Sequence, residues 1–230
     1  MKKIFNGCLV AIMLLVIIAV IVPKMCKKDE AVQEQAQTQE QAPKESGGNS
    51  VEYKGKTVRI GTQTWMAENL NYDIAGSKCY DNKPENCTKY GRLYDLATAK
   101  KACPSGWHLP NNAEWDKLIR YVDGVNGTQS PYASKTAGKY LKAKSGWNSC
   151  TAPIFKGITS NGTDAHGFSA LPGGQANTKG FSGVGSTADW WSADLPFLRW
   201  VQNCIYSFDT SGYIEKDLQG FFVSIRCIKD

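Results

Sequence analysis

Six cysteines are the residues of this chain whose type and spacing most readily support chemistry. They fall in its second part: Cys79, Cys87, Cys103, Cys150, Cys204 and Cys227. An even set of cysteines in a loop-rich domain behind a membrane-targeting segment is typical of three disulfides. Reduced, buried thiols in a cytosolic domain are the alternative. Zinc binding is disfavoured because no two cysteines form a C-x-x-C pair.

Cys79 and Cys87 bracket a short polar loop that contains Pro84, so we expect these two cysteines to bond to each other. The residues alone leave the connectivity of the whole set open, because six cysteines allow many pairings. A fully bonded set leaves no free thiol in the domain, which disfavours thiol catalysis.

The two histidines, His108 and His166, are too few for a metal centre built from three histidines. Asp164 and His166 could act as an acid–base pair, but no nucleophile stands at a matching spacing. His108 is expected to be packed rather than catalytic. No pair of carboxylates has the spacing of a glycosidase site. We therefore predict no catalytic residue and no cofactor.

Loop oxygens give a further candidate site, for calcium. Asn161, Asp164 and Asp189 could supply the oxygen ligands that this ion prefers. Turns in which Asx side chains bond the nearby backbone explain the same residues, and we favour that interpretation. We predict no metal site.

Tryptophans in the loop-rich half are the candidate binding residues: Trp147, Trp190, Trp191 and Trp200. Exposed aromatic faces stack on sugars and make good protein contacts, because a large rigid surface loses little entropy on binding. Core packing is the competing interpretation, and we expect most of these side chains to be structural. Neighbouring strand residues point to opposite faces, so one of Trp190 and Trp191 is expected in the core and the other at the surface.

Ile4–Val22 is a nearly unbroken apolar run of 19 residues. As a helix it would be about 28 Å long, close to the thickness of the hydrocarbon core of a bilayer. Pro23–Lys28 supplies none of the small residues that signal-peptide cleavage needs. We predict an uncleaved, single-span membrane anchor within residues 1–28. Secretion after cleavage of a signal peptide is the alternative.

Residues 29–50 are rich in Gln, Glu and Ala and contain no aromatic residue, so we expect a flexible linker. The folded domain then spans 51–230. Lysines flank the apolar run on both sides and do not set its orientation, whereas the cysteine set places the domain on the non-cytoplasmic side. The net charge of +6 is not concentrated in a basic block, which argues against nucleic-acid binding.

Two helices are predicted early in the domain. Asp95 can cap the first, and Pro104 ends it. Asn111 begins the second, with Glu114 at the third position of a capping box. An apolar stripe at helical spacing follows: Trp115, Leu118, Ile119 and Val122. A shorter helix is predicted near Lys139–Lys144.

Short strands are predicted before and after these helices. The first form a hairpin around Lys54–Lys56, followed by a strand at Gln63–Met66. The later strands are Phe168–Leu171, Trp190–Ala193, Trp200–Tyr206 and Phe221–Ile228. Alternation in the last strand predicts that one of its faces is buried. Early helices and late strands predict an α+β domain, with two helices packed on short antiparallel sheets and with long, disulfide-stapled loops.

Ordered motifs over 51–230 give the chain a family resemblance. They are IGTQTWMAENLNY (60–72), YGRLY (90–94), ACPSGWHLP (102–110), GFSALPGG (167–174), WWS (190–192) and RCIKD (226–230). In these motifs the chain resembles the Fibrobacter succinogenes major paralogous domain family, whose members are exported cell-envelope paralogues.

The resemblance implies a C-type lectin-like fold, which formylglycine-generating enzymes also use. It further implies that Cys103 pairs with Cys227, which would leave Cys150 and Cys204 for each other. The calcium-dependent sugar site of C-type lectins is not expected here. Pro84-Glu85-Asn86 has the wrong order for its triplet, and no Trp-Asn-Asp motif occurs.

We predict a membrane-tethered, non-catalytic module of the cell envelope that binds a glycan or a protein through its loop face, with adhesion as its expected use. A structural protein of envelope assembly is the first alternative. An enzyme related to formylglycine-generating enzymes is the second, and it would require reactive cysteines.

Overall fold

The computed structural model describes residues 52–124, 134–151, 153–155, 159–194, 197–205, 208–212 and 218–230. The predicted anchor at Ile4–Val22 and the linker at 29–50 lie outside the described residues. Within those ranges, no helix has both the length and the apolar character needed to cross a bilayer.

Four helices occur in the described ranges: α1 Pro84–Tyr90, α2 Leu96–Ala102, α3 Asn112–Asp123 and α4 Ala137–Leu141. Single 3₁₀ turns cover Tyr80–Asn82 and Pro153–Phe155. The predicted caps of α2 and α3 are confirmed. The Asp95 carboxylate accepts the Thr98 N–H at 2.7 Å. Asn111 and Glu114 form the capping box, each accepting the other's backbone N–H at 2.9 Å.

The sequence missed α1 and misplaced α4. The loop between Cys79 and Cys87 contains the start of α1, where Pro84 occupies the first turn. Proline suits this position, because the first N–H groups of a helix have no partner within it. α4 begins two residues before the predicted Lys139 and ends at Leu141, because Lys142 leaves the helical conformation and turns inward.

Eleven short strands are described: β1 Thr57–Ile60, β2 Gln63–Met66, β3 Ser77–Lys78, β4 Leu93–Tyr94, β5 Trp107–His108, β6 Gln175–Asn177, β7 Gly180–Ser182, β8 Thr187–Trp191, β9 Phe197–Gln202, β10 Asp209–Gly212 and β11 Ile228–Lys229. They form antiparallel sheets with the orders β1-β2-β11-β5 and β10-β9-β8, and the two-stranded sheets β3-β4 and β6-β7. The predicted α+β class with small antiparallel sheets is confirmed.

The first hairpin turns later than predicted. β2 has the predicted bounds, but its partner is β1, and the turn between them is Gly61–Thr62 rather than Lys54–Lys56. Gly61 has φ +62°, and a Cβ there would lie 2.8 Å from the Tyr121 ring. Both the turn and the close ring therefore favour glycine at this position.

The later strands were only partly predicted. Trp190–Ala193 and Trp200–Tyr206 overlap β8 and β9, but both observed strands begin three residues earlier. The predicted strand Phe168–Leu171 is reduced to a single bridge between Ala170 and Lys142. Phe221–Ile228 makes isolated bridges before β11 begins. Residues 222, 223 and 224 each bridge a different strand, β6, β4 and β8 respectively, so no continuous ladder forms along this segment.

The core has two main parts with β8 between them. Trp190 packs in the first part, and Trp191 packs in the second. The aromatic residues of the first part are Trp65, Trp115, Trp147, Phe168, Trp190 and Phe208. The second part includes Tyr94, Trp191, Val223, Ile225 and Cys227. The expectation that one of Trp190 and Trp191 lies at the surface is wrong, because core covers both faces of β8.

The last segment of the chain is likewise buried on both faces. Val223, Ile225 and Cys227 are 0% exposed, as the alternation predicts. Ser224 and Arg226, on the opposite face, are 2% and 0% exposed, so the burial extends beyond the one face that was predicted. The polar side chains are accommodated because they form hydrogen bonds inside the fold.

Three disulfides connect loops to this framework, with the expected pairings. Cys79–Cys87 encloses the start of α1. Cys103–Cys227 joins the end of α2 to the segment before β11 across 124 residues. Cys150–Cys204 joins the loop after α4 to the loop after β9.

Candidate ligand-binding site

The tryptophans predicted to bind a ligand lie in the interior. Trp147 is 6% exposed, and Trp190 and Trp191 are 0% exposed. Their indole N–H groups donate to Ala170 O at 3.1 Å, Asn69 Oδ1 at 2.9 Å and Tyr94 O at 2.7 Å, respectively. A buried indole offers no face to a ligand, so these three residues form no exposed aromatic surface in this structure. Trp200 lies on β9, and its side chain is outside the described part.

The histidines form no acid–base pair with a nucleophile in the described structure. His108 lies between two carboxylates, with Nδ1 2.6 Å from Asp230 and Nε2 2.8 Å from Glu114. Burial of the ring opposes protonation, but the bonds to both carboxylates outweigh it and raise the pKa of His108 above its ordinary value. His166 contacts the Tyr121 ring edge-on at 5.8 Å. The Asp164 carboxylate instead accepts hydrogen bonds from Ser169.

The three residues considered as calcium ligands form hydrogen bonds that stabilise nearby loops and turns. Asn161 Oδ1 accepts the Trp147 N–H at 3.1 Å. Asp164, at φ +48°, holds the turn to Ser169. Asp189 accepts the Thr187 hydroxyl at 3.0 Å, and burial raises the pKa of its carboxyl to about 7. In the described ranges, no group of three or more His, Cys, Asp or Glu side chains is placed to hold a metal ion.

A cleft of about 760 Å³ opens between the chain before β1, the segment after β2 and α1. Three tyrosines line it, Tyr53, Tyr72 and Tyr90, together with the amides Asn69 and Asn71. We call it the tyrosine cleft. Aromatic walls with a few placed polar groups are the usual composition of a small-ligand site. None of these residues was a sequence candidate, although Asn69-Leu70-Asn71-Tyr72 ends the first family motif.

Contacts with Trp107 and Tyr94 hold Tyr53 and Tyr72 in place. The Tyr53 ring meets Trp107 edge-on at 5.2 Å, and its hydroxyl donates to Lys56 O at 3.2 Å. Tyr94 clamps the backbone of Tyr72, accepting its N–H at 2.8 Å and donating to its carbonyl at 3.0 Å. Burial, and then the Glu68 carboxylate, raise the pKa of Tyr53 to about 12. Burial also raises the pKa of Tyr72.

Asn69 joins the two walls of the cleft. Its Oδ1 accepts from Trp190 Nε1 at 2.9 Å and from Arg226 Nε and Nη2 at 3.2 and 2.7 Å. Its Nδ2 donates to Tyr90 O at 2.9 Å and to Ser224 Oγ at 3.3 Å. The amide thereby fixes the 68–72 wall to the end of α1.

Arg226 lies directly behind Asn69 and is 0% exposed. Its Nη1 donates to Phe168 O, and its guanidinium carbon is 4.3 Å from the Phe168 ring centroid. Burial lowers the pKa of Arg226 to about 9, so the side chain keeps its charge at neutral pH. None of the ion pairs within the described ranges involves Arg226.

Four charged side chains surround the mouth of the cleft. Glu52, Lys54, Glu68 and Lys89 line it, and all four are exposed. The Lys89 ammonium lies 4.8 Å from the Tyr90 ring centroid. A ligand in the tyrosine cleft would therefore meet aromatic faces, amides and charges of both signs.

Comparison with known proteins identifies the class of this disulfide-stapled α+β domain. The Fibrobacter succinogenes major domain matches residues 58–229, and the chain belongs to this family. The match includes the cleft-lining segments 68–72 and 88–91, whereas the lining residues 52–55 precede it. No curated protein and no solved structure matches the chain.

Proposed function

We propose that this protein is a non-catalytic ligand-binding module of the cell envelope, and that it binds a glycan through the tyrosine cleft. The composition of the cleft carries the proposal. The partly exposed rings of Tyr53 and Tyr72 offer flat apolar faces to sugar rings, while the amides and hydroxyls beside them can bond sugar hydroxyls. Surface adhesion is the use we propose for such a module.

The rigidity of the cleft supports binding to an extended polymer. Asn69 ties the two walls, and Cys87, which lines the cleft, is bonded to Cys79. A wall that is already ordered loses little conformational entropy when a ligand binds.

The acid–base properties of the cleft favour binding over catalysis. A general base works best when its pKa lies near the operating pH. The pKa of Tyr53 is about 12, and that of Tyr72 is also raised, so neither phenol is poised to accept a proton at neutral pH.

We also propose that Ile4–Val22 tethers the protein to a membrane, with the domain on the non-cytoplasmic side. The three disulfides support this placement, because such bonds persist in oxidising compartments. N-terminal sequencing of the mature protein would distinguish an uncleaved anchor from a cleaved signal peptide. Protease accessibility in intact and lysed cells would test the side: digestion only after lysis of the inner membrane would contradict the proposal.

We further propose that the fold is C-type lectin-like. The Cys103–Cys227 bond between the end of α2 and the final segment supports this, since the resemblance implied that pairing. An experimental structure compared with C-type lectin-like domains is the test, and a different chain topology would contradict the proposal.

The function is tested with the full-length chain, purified in a mild detergent with its disulfides oxidised. Retention on a panel of soluble and insoluble polysaccharides is measured, followed by hydrogen–deuterium exchange with the retained polymer. We expect retention and slower exchange at 68–72 and 88–91. Absence of retention on every polymer, together with a stable crosslinked envelope protein, would instead favour the role in envelope assembly.

A further inference from the structure

We infer that the tyrosine cleft takes an acidic polysaccharide, one whose sugars carry carboxylates, an inference that rests on the glycan-binding function proposed above. The main observation is the buried cation of Arg226 behind the cleft floor. The exposed lysines of the cleft mouth add to it.

The charge of Arg226 is not neutralised by a contacting carboxylate in the part of the chain that the structure describes. Its hydrogen bonds go to neutral oxygens, Asn69 Oδ1 and Phe168 O. The field of a charge is screened less in a protein interior than in water. One side chain, Asn69, separates this guanidinium from the cleft, so the cleft floor lies within its field.

The dipole of the Asn69 amide is aligned with this field. A guanidinium and an indole N–H can only donate, so the amide oxygen must face Arg226 and Trp190. The amide nitrogen, the positive end of the dipole, then points to Tyr90 O on the α1 wall. The amide dipole therefore points away from Arg226, with Tyr90 O and Ser224 Oγ accepting from its positive end.

The mouth of the cleft adds two exposed ammonium groups, Lys54 and Lys89, and two exposed carboxylates, Glu52 and Glu68. Together with Arg226, the cations outnumber the carboxylates of the cleft lining by one, before Asp164, outside that lining, is counted. Glu68 is the carboxylate of the mouth whose charge acts on Arg226, and Asp164 also acts on it from the 164–169 turn. An acidic sugar would place its ring against a tyrosine and its carboxylate towards the lysines, whereas a neutral sugar would use only the first contact.

The experiment compares matched polymers on the full-length chain. Polygalacturonate, alginate and hyaluronan are each tested beside their carboxyl-reduced forms, which keep the sugar backbone but lose the charge. We expect at least one acidic polymer to bind more tightly than its reduced form, and the difference to shrink towards about 0.5 M salt, which screens charges beyond about 5 Å.

A single substitution and a double substitution test the sign of the effect. Glu68→Gln removes a repelling carboxylate and keeps the shape, so it should tighten binding of the acidic polymer roughly two- to fivefold. Lys54→Gln combined with Lys89→Gln should weaken it by a similar or larger factor. The matched controls are Glu85→Gln on α1 and Lys117→Gln on α3, both exposed and outside the cleft lining.

The results separate this inference from the function on which it rests. Equal or tighter binding of the reduced polymers, or weaker binding after Glu68→Gln, overturns the acidic class and leaves glycan binding standing. Absence of binding to both the acidic and the neutral polymers overturns both.

Discussion

Arg226 donates two hydrogen bonds to the side-chain oxygen of Asn69, from Nε at 3.2 Å and from Nη2 at 2.7 Å. Residues 157 positions apart are thus joined behind the floor of the tyrosine cleft. The same oxygen accepts the Trp190 indole N–H, so one amide connects the cleft to the aromatic core. Stability and binding are therefore coupled at Asn69.

Asn69→Ala should lower the free energy of unfolding by about 2–4 kcal/mol, because a buried guanidinium and an indole N–H lose their acceptor. Urea denaturation followed by circular dichroism measures this loss. Asn71→Ala, two positions away at an exposed site, should change stability by less than about 0.5 kcal/mol. Equal losses in the two variants would contradict the role given to Asn69.

The contacts of His108 predict a pH-dependent stability. Its pKa is raised in the folded state by Asp230 and Glu114, which outweigh the opposing effect of burial. The stabilisation is therefore complete below the unfolded value of about 6.5 and is lost as the pH rises through the higher folded-state value.

Thermal unfolding between about pH 5.5 and 8.5 tests this, in a window that begins below the unfolded value and extends well above it. We expect the melting temperature to fall across the window and His108→Gln to reduce the fall. His166→Gln, at the second histidine of the chain, should leave it unchanged. An equally steep fall in the His108 variant would contradict the prediction.

The buried Lys142 should stabilise the protein locally, around the loop whose carbonyls it contacts. Its ammonium is fully buried and donates to the carbonyls of Gln202, Asn203 and Ile205 at 3.1–3.3 Å. Lys142→Met should cost about 1–3 kcal/mol, because these acceptors lose their donor. Hydrogen exchange should quicken around 202–205, whereas Lys139→Met on the exposed face of α4 should leave it unchanged. Unaltered exchange in the Lys142 variant would contradict this role.

The disulfides should differ in their effect on stability according to loop length. Replacing both Cys103 and Cys227 by alanine opens a loop of 124 residues and should cost about 5 kcal/mol. The same change at Cys79 and Cys87, separated by 8 residues, should cost about 2.5 kcal/mol. Denaturant titration of the two double variants gives the comparison, and the reverse order would show that strain or residual unfolded structure dominates.

Local signals were predictable from the sequence, and burial decided by distant partners was not. The Asn111–Glu114 capping box is complete within four residues, so the start of α3 was predicted correctly. Trp190 and Trp191 look like one buried and one exposed residue, because alternation cannot show that a second core part covers β8. Arg226 resembles a solvated residue of an edge strand until Asn69 and Phe168 are placed around it.

The tyrosine cleft was missed for the same reason. Tyr53, Tyr72 and Tyr90 are distant in the chain and share no spacing typical of a site. Their convergence depends on the β1-β2 hairpin, on α1, which the sequence did not predict, and on the Asn69 bond to Tyr90 O. The tryptophans were chosen as candidates for their residue type, but three of them are buried in the core.

Glycan binding through the tyrosine cleft is tested most directly by titrating the full-length Tyr72→Ala and Tyr121→Ala chains with a polysaccharide that the unaltered protein retains. Tyr72 lines the cleft, and Tyr121 is an exposed tyrosine on α3 outside it, 54% accessible. Loss of one stacking aromatic should weaken binding at least tenfold in the first variant, about 1.4 kcal/mol or more, and leave the second unchanged. Unchanged binding in the Tyr72 variant, with its fold intact by circular dichroism, would contradict the account.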